Sequence, residues 1–225
     1  VALMREPGLR ATLLREIEES AATPLGQRLV EFGNIFPFGS PPNYDPGPGQ
    51  SVAAIGVREG RAPAEVAYDR MMSDDGHSYL YSPFANYAGR SLDDCAEMIA
   101  DPNTVLGLGD GGAHVGLVAD ASFQTFVLCH WAKTAKKFDL PWLVKRQTSD
   151  TARAVGLNDR GVIARGMKAD LNVIDADALG MAAPHMQFDL PAGGGRLLQR
   201  AHGYDATIVS GTVVYRDGEA TGALP

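Results

Sequence analysis

The chain has 225 residues, 45% hydrophobic and 21% charged, which is enough apolar material for a packed core of ordinary globular type. A net charge of −7 and a pI near 5.2 argue against a nucleic-acid partner, which calls for a basic face. No apolar run approaches the ~18 residues of a membrane span, and two cysteines outside any C-x-x-C spacing fit a reducing cytoplasm.

In chain order, residues 8–31 predict one or two amphipathic helices, with Leu9, Leu13, Leu14 and Ile17 on one face and a break at Thr23-Pro24. Those charged, helix-patterned residues are not a signal peptide. The chain opens on Val1 inside this helical stretch, as expected for a piece of something longer. Residues 32–38 predict a short aromatic strand, and 39–49 (G-S-P-P-N-Y-D-P-G-P-G) a loop. Ser51 caps a predicted helix to Glu59, and Pro63 opens another through Met72 with Ala64, Ala67, Tyr68 and Met71 inward. Residues 78–84 read as a strand, and Ser91 starts a helix carrying Asp93 and Asp94 in its first turn. A strand over 104–108 and a helix over 121–131 complete an alternation that predicts parallel strands with crossover helices. Lys133, Lys136 and Lys137 are expected on a solvated helix face.

After Thr148 the character changes. A short helix at 151–155 precedes a strand at 169–174, a loop at 191–195, and a hairpin of 206–210 with 212–216 turning at Ser210-Gly211. The expected division is therefore 1–150, an α/β body, and 151–225, a connecting helix with a small β unit. No internal repeat is evident.

The chemistry concentrates in residues 104–116, T-V-L-G-L-G-D-G-G-A-H-V-G. Asp110 stands at the C-terminal end of the predicted buried strand, where α/β folds place catalytic groups. The flanking glycines let a ligand approach the backbone. An aspartate before two glycines also serves simply as a turn or cap residue. Gly107, Gly109 and Gly112 satisfy G-x-G-x-x-G, yet the second strand and acid of a dinucleotide fold are missing downstream, as is a phosphate-loop lysine. Nucleotide binding is the weakest of the readings. His114 sits at the mouth of the same stretch, either contacting substrate or packing at the next helix. Asn86 and Tyr87, after the 78–84 strand, are further candidates for that mouth.

The 104–114 segment, taken with G-V-I-A-R-G-M-K-A-D-L-N-V-I-D at 161–175, resembles the amidohydrolase superfamily, and within it the N-acyl-D-amino-acid deacylase (D-aminoacylase) branch. The resemblance covers most of the chain from Ser51 onward. It implies an α/β fold made of the last strands and helices of a TIM-like (β/α)8 barrel, plus a C-terminal segment of a small β-sandwich. It implies hydrolysis of an N-acyl amide by metal-bound water, with zinc in the complete protein and Asp110 as the general base that later protonates the leaving amine. Such chemistry is sound, because a metal lowers the pKa of bound water and a carboxylate can then take the proton.

The family's H-x-H is absent here, and His77, His130, His185 and His202 match no ligand position. The expectation is therefore the C-terminal part of a cytoplasmic deacylase-like hydrolase acting on an N-acyl amino acid. Asp110 is its catalytic residue, and His114 and Asn86 bind substrate. No zinc is held by this chain alone beyond contact through Asp110, and an exposed barrel edge would favour self-association. A non-catalytic remnant or interaction module is the alternative.

Overall fold

The computed structural model describes every residue except Leu108, Asp110 and Ala113, and all side chains apart from theirs and that of Leu25. The chain divides into two compact units, residues 1–97 and 98–225. The division falls within the segment 1–150 that the sequence treats as one.

In the first unit, α1 (Pro7–Ser20) and α2 (Pro24–Leu29) are separated at the expected break, where the Thr23 hydroxyl accepts the Gly26 amide at 3.0 Å. The predicted strand at 32–38 is shorter: 32–34 form a 3-10 turn and only β1 (Phe36–Phe38) is extended. β1 pairs antiparallel with β2 (Tyr79–Tyr81), Phe36 opposite Tyr81. Ser51 caps α3 (Val52–Glu59) by accepting the Ala54 amide at 3.2 Å, and Pro63 begins α4 (Pro63–Met71). The side chains of Val52, Ile55, Val66 and Ala67 form one core with Ile35, covered by Phe32 and Leu80. Each fully buried aliphatic side chain there is worth ~1.5–3 kcal/mol. Met71, expected inward, is instead 39% exposed at the residue where α4 ends. α5 (Asp93–Ala100) follows, with the Asp93 amide donating to the Ser91 hydroxyl at 3.3 Å.

The second unit carries α6 (Phe123–Phe126), which widens into π-type turns over Val127–Thr134 and buries Val127, Leu128 and Trp131. α7 (Leu140–Lys145) runs through a π-type segment, Arg146–Asp150, into α8 (Thr151–Ala154). A four-stranded sheet has the order β10 (Glu219–Ala220), β9 (Thr212–Arg216), β8 (Tyr204–Val209), β3 (Leu171–Ile174). The β8–β9 turn is the predicted one: Ser210 and Gly211 have φ of 51° and 84°, the doubly positive geometry that suits a two-residue hairpin. β4 (Gly180–Met181) pairs with β7 (Ala201–His202), and β5 (His185–Leu190) with β6 (Gly194–Leu198). β6 takes in Gly194 and Gly195, which the sequence places in a loop.

The architecture is mixed α/β, but the parallel arrangement is not seen. Every strand pair among the described residues is antiparallel, the sheets are small, and no closed barrel is present. The predicted strand at 104–108 is not a strand over its described residues 104–107. Its carbonyls are met by side chains instead of by a neighbouring strand. Arg146 Nη2 donates to the Thr104 carbonyl at 2.7 Å, and the Thr151 hydroxyl to the Leu106 carbonyl at 3.2 Å. No helix among the described residues is long and apolar enough to cross a membrane.

Candidate functional site

The segment that carries the candidate acid is built backwards from the helices packed on it. Arg146 is 6% exposed, and its Nη2 also reaches the Asp101 carbonyl at 3.1 Å and the Thr104 hydroxyl at 3.1 Å. Thr104 in turn donates to the Asp101 carbonyl at 3.0 Å. The start of the segment is thereby tied to the helix that begins at Leu140.

The glycines of this segment have separate structural reasons. A Cβ on Gly109 would stand 2.9 Å from the Asp120 carbonyl oxygen and 3.1 Å from the Phe123 ring, and one on Gly111 3.2 Å from Ala121. Both let the segment lie against the entry to α6. Gly112 has φ of 97°, which a side chain would resist, whereas Gly107 meets nothing. The described residues between Gly112 and α6 form turns rather than a helix, so a nucleotide phosphate finds no helix N-terminus directly after the glycines.

Asp110 itself lies outside the described residues. His114 belongs to the second unit, is exposed with φ of 46°, and its carbonyl accepts the amides of Leu117 at 2.8 Å and Val118 at 3.1 Å. Asn86 belongs to the first unit, is exposed with φ of 59°, and its carbonyl accepts the Cys95 thiol at 3.5 Å. Tyr87 is buried, not at a mouth. Its hydroxyl donates to the Pro46 carbonyl at 2.5 Å and its ring stacks edge-on against Phe36 at 6.2 Å. Burial, then the nearby Asp45 carboxylate, pushes its phenol up to about 12.

The histidines are scattered in function as well as in sequence. His130 lies flat on Phe126 at 4.9 Å, and His202 covers Gly180, where any Cβ would collide with its ring. His77 and His185 are exposed, the first after a 3-10 turn at 74–76 and the second on β5. Both cysteine thiols are pushed up, chiefly by burial, so neither is poised as a thiolate ligand or nucleophile. Among the described residues no group of three or more His, Cys, Asp or Glu side chains could hold a metal ion. The described residues therefore do not by themselves supply the ligand set that the resemblance implies. A cavity of about 430 Å³ is lined by residues that include His202, Tyr204, Asp205 and Asp217, none of them a candidate from the sequence.

The second motif, at 161–175, is a clasp. Asp170 Oδ1 accepts the Ser210 amide at 2.8 Å while the Ala169 carbonyl accepts the Gly211 amide at 2.9 Å, locking β3 to the hairpin turn. Arg160 and Lys168 hold the other carboxylate oxygen at 3.2 and 3.5 Å. The Ser210 amide first, then the two cations, hold the Asp170 carboxyl below the ordinary carboxylate range. Gly161, at φ of 88°, passes so close to Ser149 that a Cβ would lie 2.8 Å from its Cα. Lys133, expected in solvent, instead donates to the carbonyls of Ala176, Asp177 and Leu179 at 3.0, 2.9 and 3.0 Å. Nothing local in the sequence announces acceptors more than forty residues away.

Both motifs fall within a stretch that is matched among known proteins. The model of the amidohydrolase family matches residues 41–215, well over half of the chain, and the chain belongs to that family. Among solved structures it is similar to a crystal structure of D-aminoacylase described as defining a novel subset of amidohydrolases. That likeness is 21% identity over 84% of this chain and 36% of that one, with a TM-score of 0.45. A second D-aminoacylase structure, concerned with its binuclear metal centre, is 22% identical over 84% of this chain and 36% of that one, with a TM-score of 0.47. The chain thus spans little more than a third of the length of these enzymes. No curated protein sequence matches it.

Proposed function

We propose that the chain is the C-terminal part of a D-aminoacylase-like amidohydrolase, and that the complete, cytoplasmic protein hydrolyses the amide bond of an N-acyl amino acid. The observation that carries this reading is the family match across 41–215, which contains both the Asp110 segment and the Asp170 clasp. In the complete protein, residues 1–150 contribute the last strands and helices of a barrel, and residues 151–225 part of a small β-sandwich. Zinc belongs to the complete protein and is held by residues outside this chain.

Asp110 is the acid–base group: it takes a proton from the attacking water and returns it to the leaving amine. A carboxylate suits both directions of transfer. His114 and Asn86 contact the substrate.

The test is release of free amino acid from N-acetylated D- and L-amino acids by the complete protein. Turnover supports the reading, and D-selectivity supports the narrower assignment. A folded, metal-loaded complete protein that releases nothing from any N-acyl amino acid overturns it.

A further inference from the structure

Outside the proposed active-site segment, the helical run 140–154 presents Trp142, Arg146, Asp150 and Arg153 at three- and four-residue steps, so they share one face. With Lys145 and, on the facing wall, Thr104, they line a cleft of about 540 Å³. Three cations and one carboxylate give the cleft a net charge of about +2 at neutral pH, against −7 for the chain as a whole.

The single carboxylate does not use up the cationic donors. Lys145 Nζ lies 2.5 and 2.7 Å from the two Asp150 oxygens, a full pairing. Arg146 Nη1 and Arg153 Nη1 stand 3.7 and 4.0 Å away, beyond hydrogen-bond length. Arg146 is the fixed element of the cleft: its side chain is 7% exposed, its guanidinium lies over the Trp142 ring at 5.6 Å, and its Nη2 is committed to Thr104 and Asp101. Its Nε is buried with no acceptor among the described residues. A buried guanidinium N–H without an acceptor is uncommon in a folded protein.

We propose that this cleft binds an oxyanion of the phosphate class, whose oxygens meet Arg146 with Lys145 and Arg153 closing over it. The volume leaves room for the anion and for waters of about 30 Å³ each. A dianion balances the cleft, whereas a monocarboxylate leaves it cationic. Because the residues involved are separate from Asp110, the proposal stands apart from the hydrolase reading.

The experiment titrates the chain with inorganic phosphate at pH 8 and low ionic strength, where phosphate is mostly the dianion. Binding is followed by calorimetry and by Trp142 fluorescence, with acetate as the comparison ion and circular dichroism confirming the fold of each variant. The expected result is saturable binding of one phosphate, weakened about three- to tenfold in Arg153→Gln and about tenfold or more in the Lys145→Gln/Arg153→Gln double variant. Asp150→Asn, which removes the competing carboxylate, should bind phosphate more tightly. A linear, unsaturating response, equal binding in all variants, or acetate binding as well as phosphate overturns the proposal.

Discussion

The Asp170 carboxylate accepts the backbone amide of Ser210 at 2.8 Å, so that the side chain just before β3 holds the turn of the hairpin forty residues downstream. This contact, made by the residue just before β3, gives the A-D-L element of the sequence a mechanical role. Its consequences can be measured without any assay of activity.

Asp170→Ala should lower the melting temperature by a few degrees and loosen the β8–β9 turn, seen as faster exchange of the Ser210 amide. The dependence on pH has a definite sign. A carboxyl held below its ordinary value, here by the Ser210 amide first, stabilises the fold above about pH 4, and that contribution is lost as pH falls through the depressed value. The variant should therefore differ from the parent at neutral pH and approach it in strong acid. A constant difference down to pH 2 would remove the ionised form from the explanation.

Tyr87→Phe leaves the Pro46 carbonyl without its phenolic donor and is expected to cost about 1 kcal/mol, a shift of ~2–4 °C in a chain of this size. Because the phenol is pushed up to about 12, the parent should show one tyrosine that does not ionise near pH 10 while the fold persists. Stability carried by this neutral phenol is present below pH 10 and lost between about 10 and 12. Ultraviolet titration of both proteins checks it: the count of tyrosines titrating near 10 should be the same in both, and one fewer in the variant would contradict it.

Two glycines of the clasp motif should respond differently to alanine. Gly161→Ala meets both a positive φ and the Ser149 backbone at 2.8 Å, so a loss of ~2 kcal/mol or more is expected. Gly166→Ala, at φ of 84° with nothing within 4 Å, should cost only the backbone strain, about 1 kcal/mol. Denaturant melts of the pair decide this, and equal losses would mean that the contact with Ser149 carries no weight.

Asp110→Asn in the complete protein should lower turnover by ~10²–10⁴-fold with the melting temperature nearly unchanged, since asparagine keeps the shape but cannot take a proton. Near-normal turnover in a destabilised protein would assign Asp110 to the turn.

The chain by itself should retain no stoichiometric zinc after dialysis. Its described histidines and cysteines gather nowhere, and a zinc site needs three or four protein ligands in fixed geometry. One zinc per chain by elemental analysis would overturn this expectation.

Elements announced by local chemistry were legible in advance. Ser51 as a cap, Pro63 as a helix start and Ser210-Gly211 as a tight turn each act within a few residues. The predicted strand at 104–108 was misread over its described residues 104–107, where the carbonyls of Thr104 and Leu106 are met by the side chains of Arg146 and Thr151, which no local pattern reveals. The β5–β6 hairpin was missed for a similar reason. Gly194 and Gly195 resemble loop residues, yet the bare Gly195 is what lets Phe188 and Met186 lie across the strand, where a Cβ would stand 2.9 and 3.0 Å from them. Of the candidate site, Asp110 was nominated from its motif and lies outside the described residues, whereas His114 was nominated by nearness in sequence and Asn86 by following the predicted strand at 78–84, neither of which encodes where a side chain points.

Arg146 and Thr151 have one further effect on the chain's behaviour in company. By occupying the carbonyls of Thr104 and Leu106, they blunt one flank of an extended apolar segment that would otherwise offer acceptors to any passing polypeptide. Whatever docks along that flank must first displace a buried guanidinium and a hydroxyl, so the segment is shielded from casual aggregation by residues that belong to its own helix.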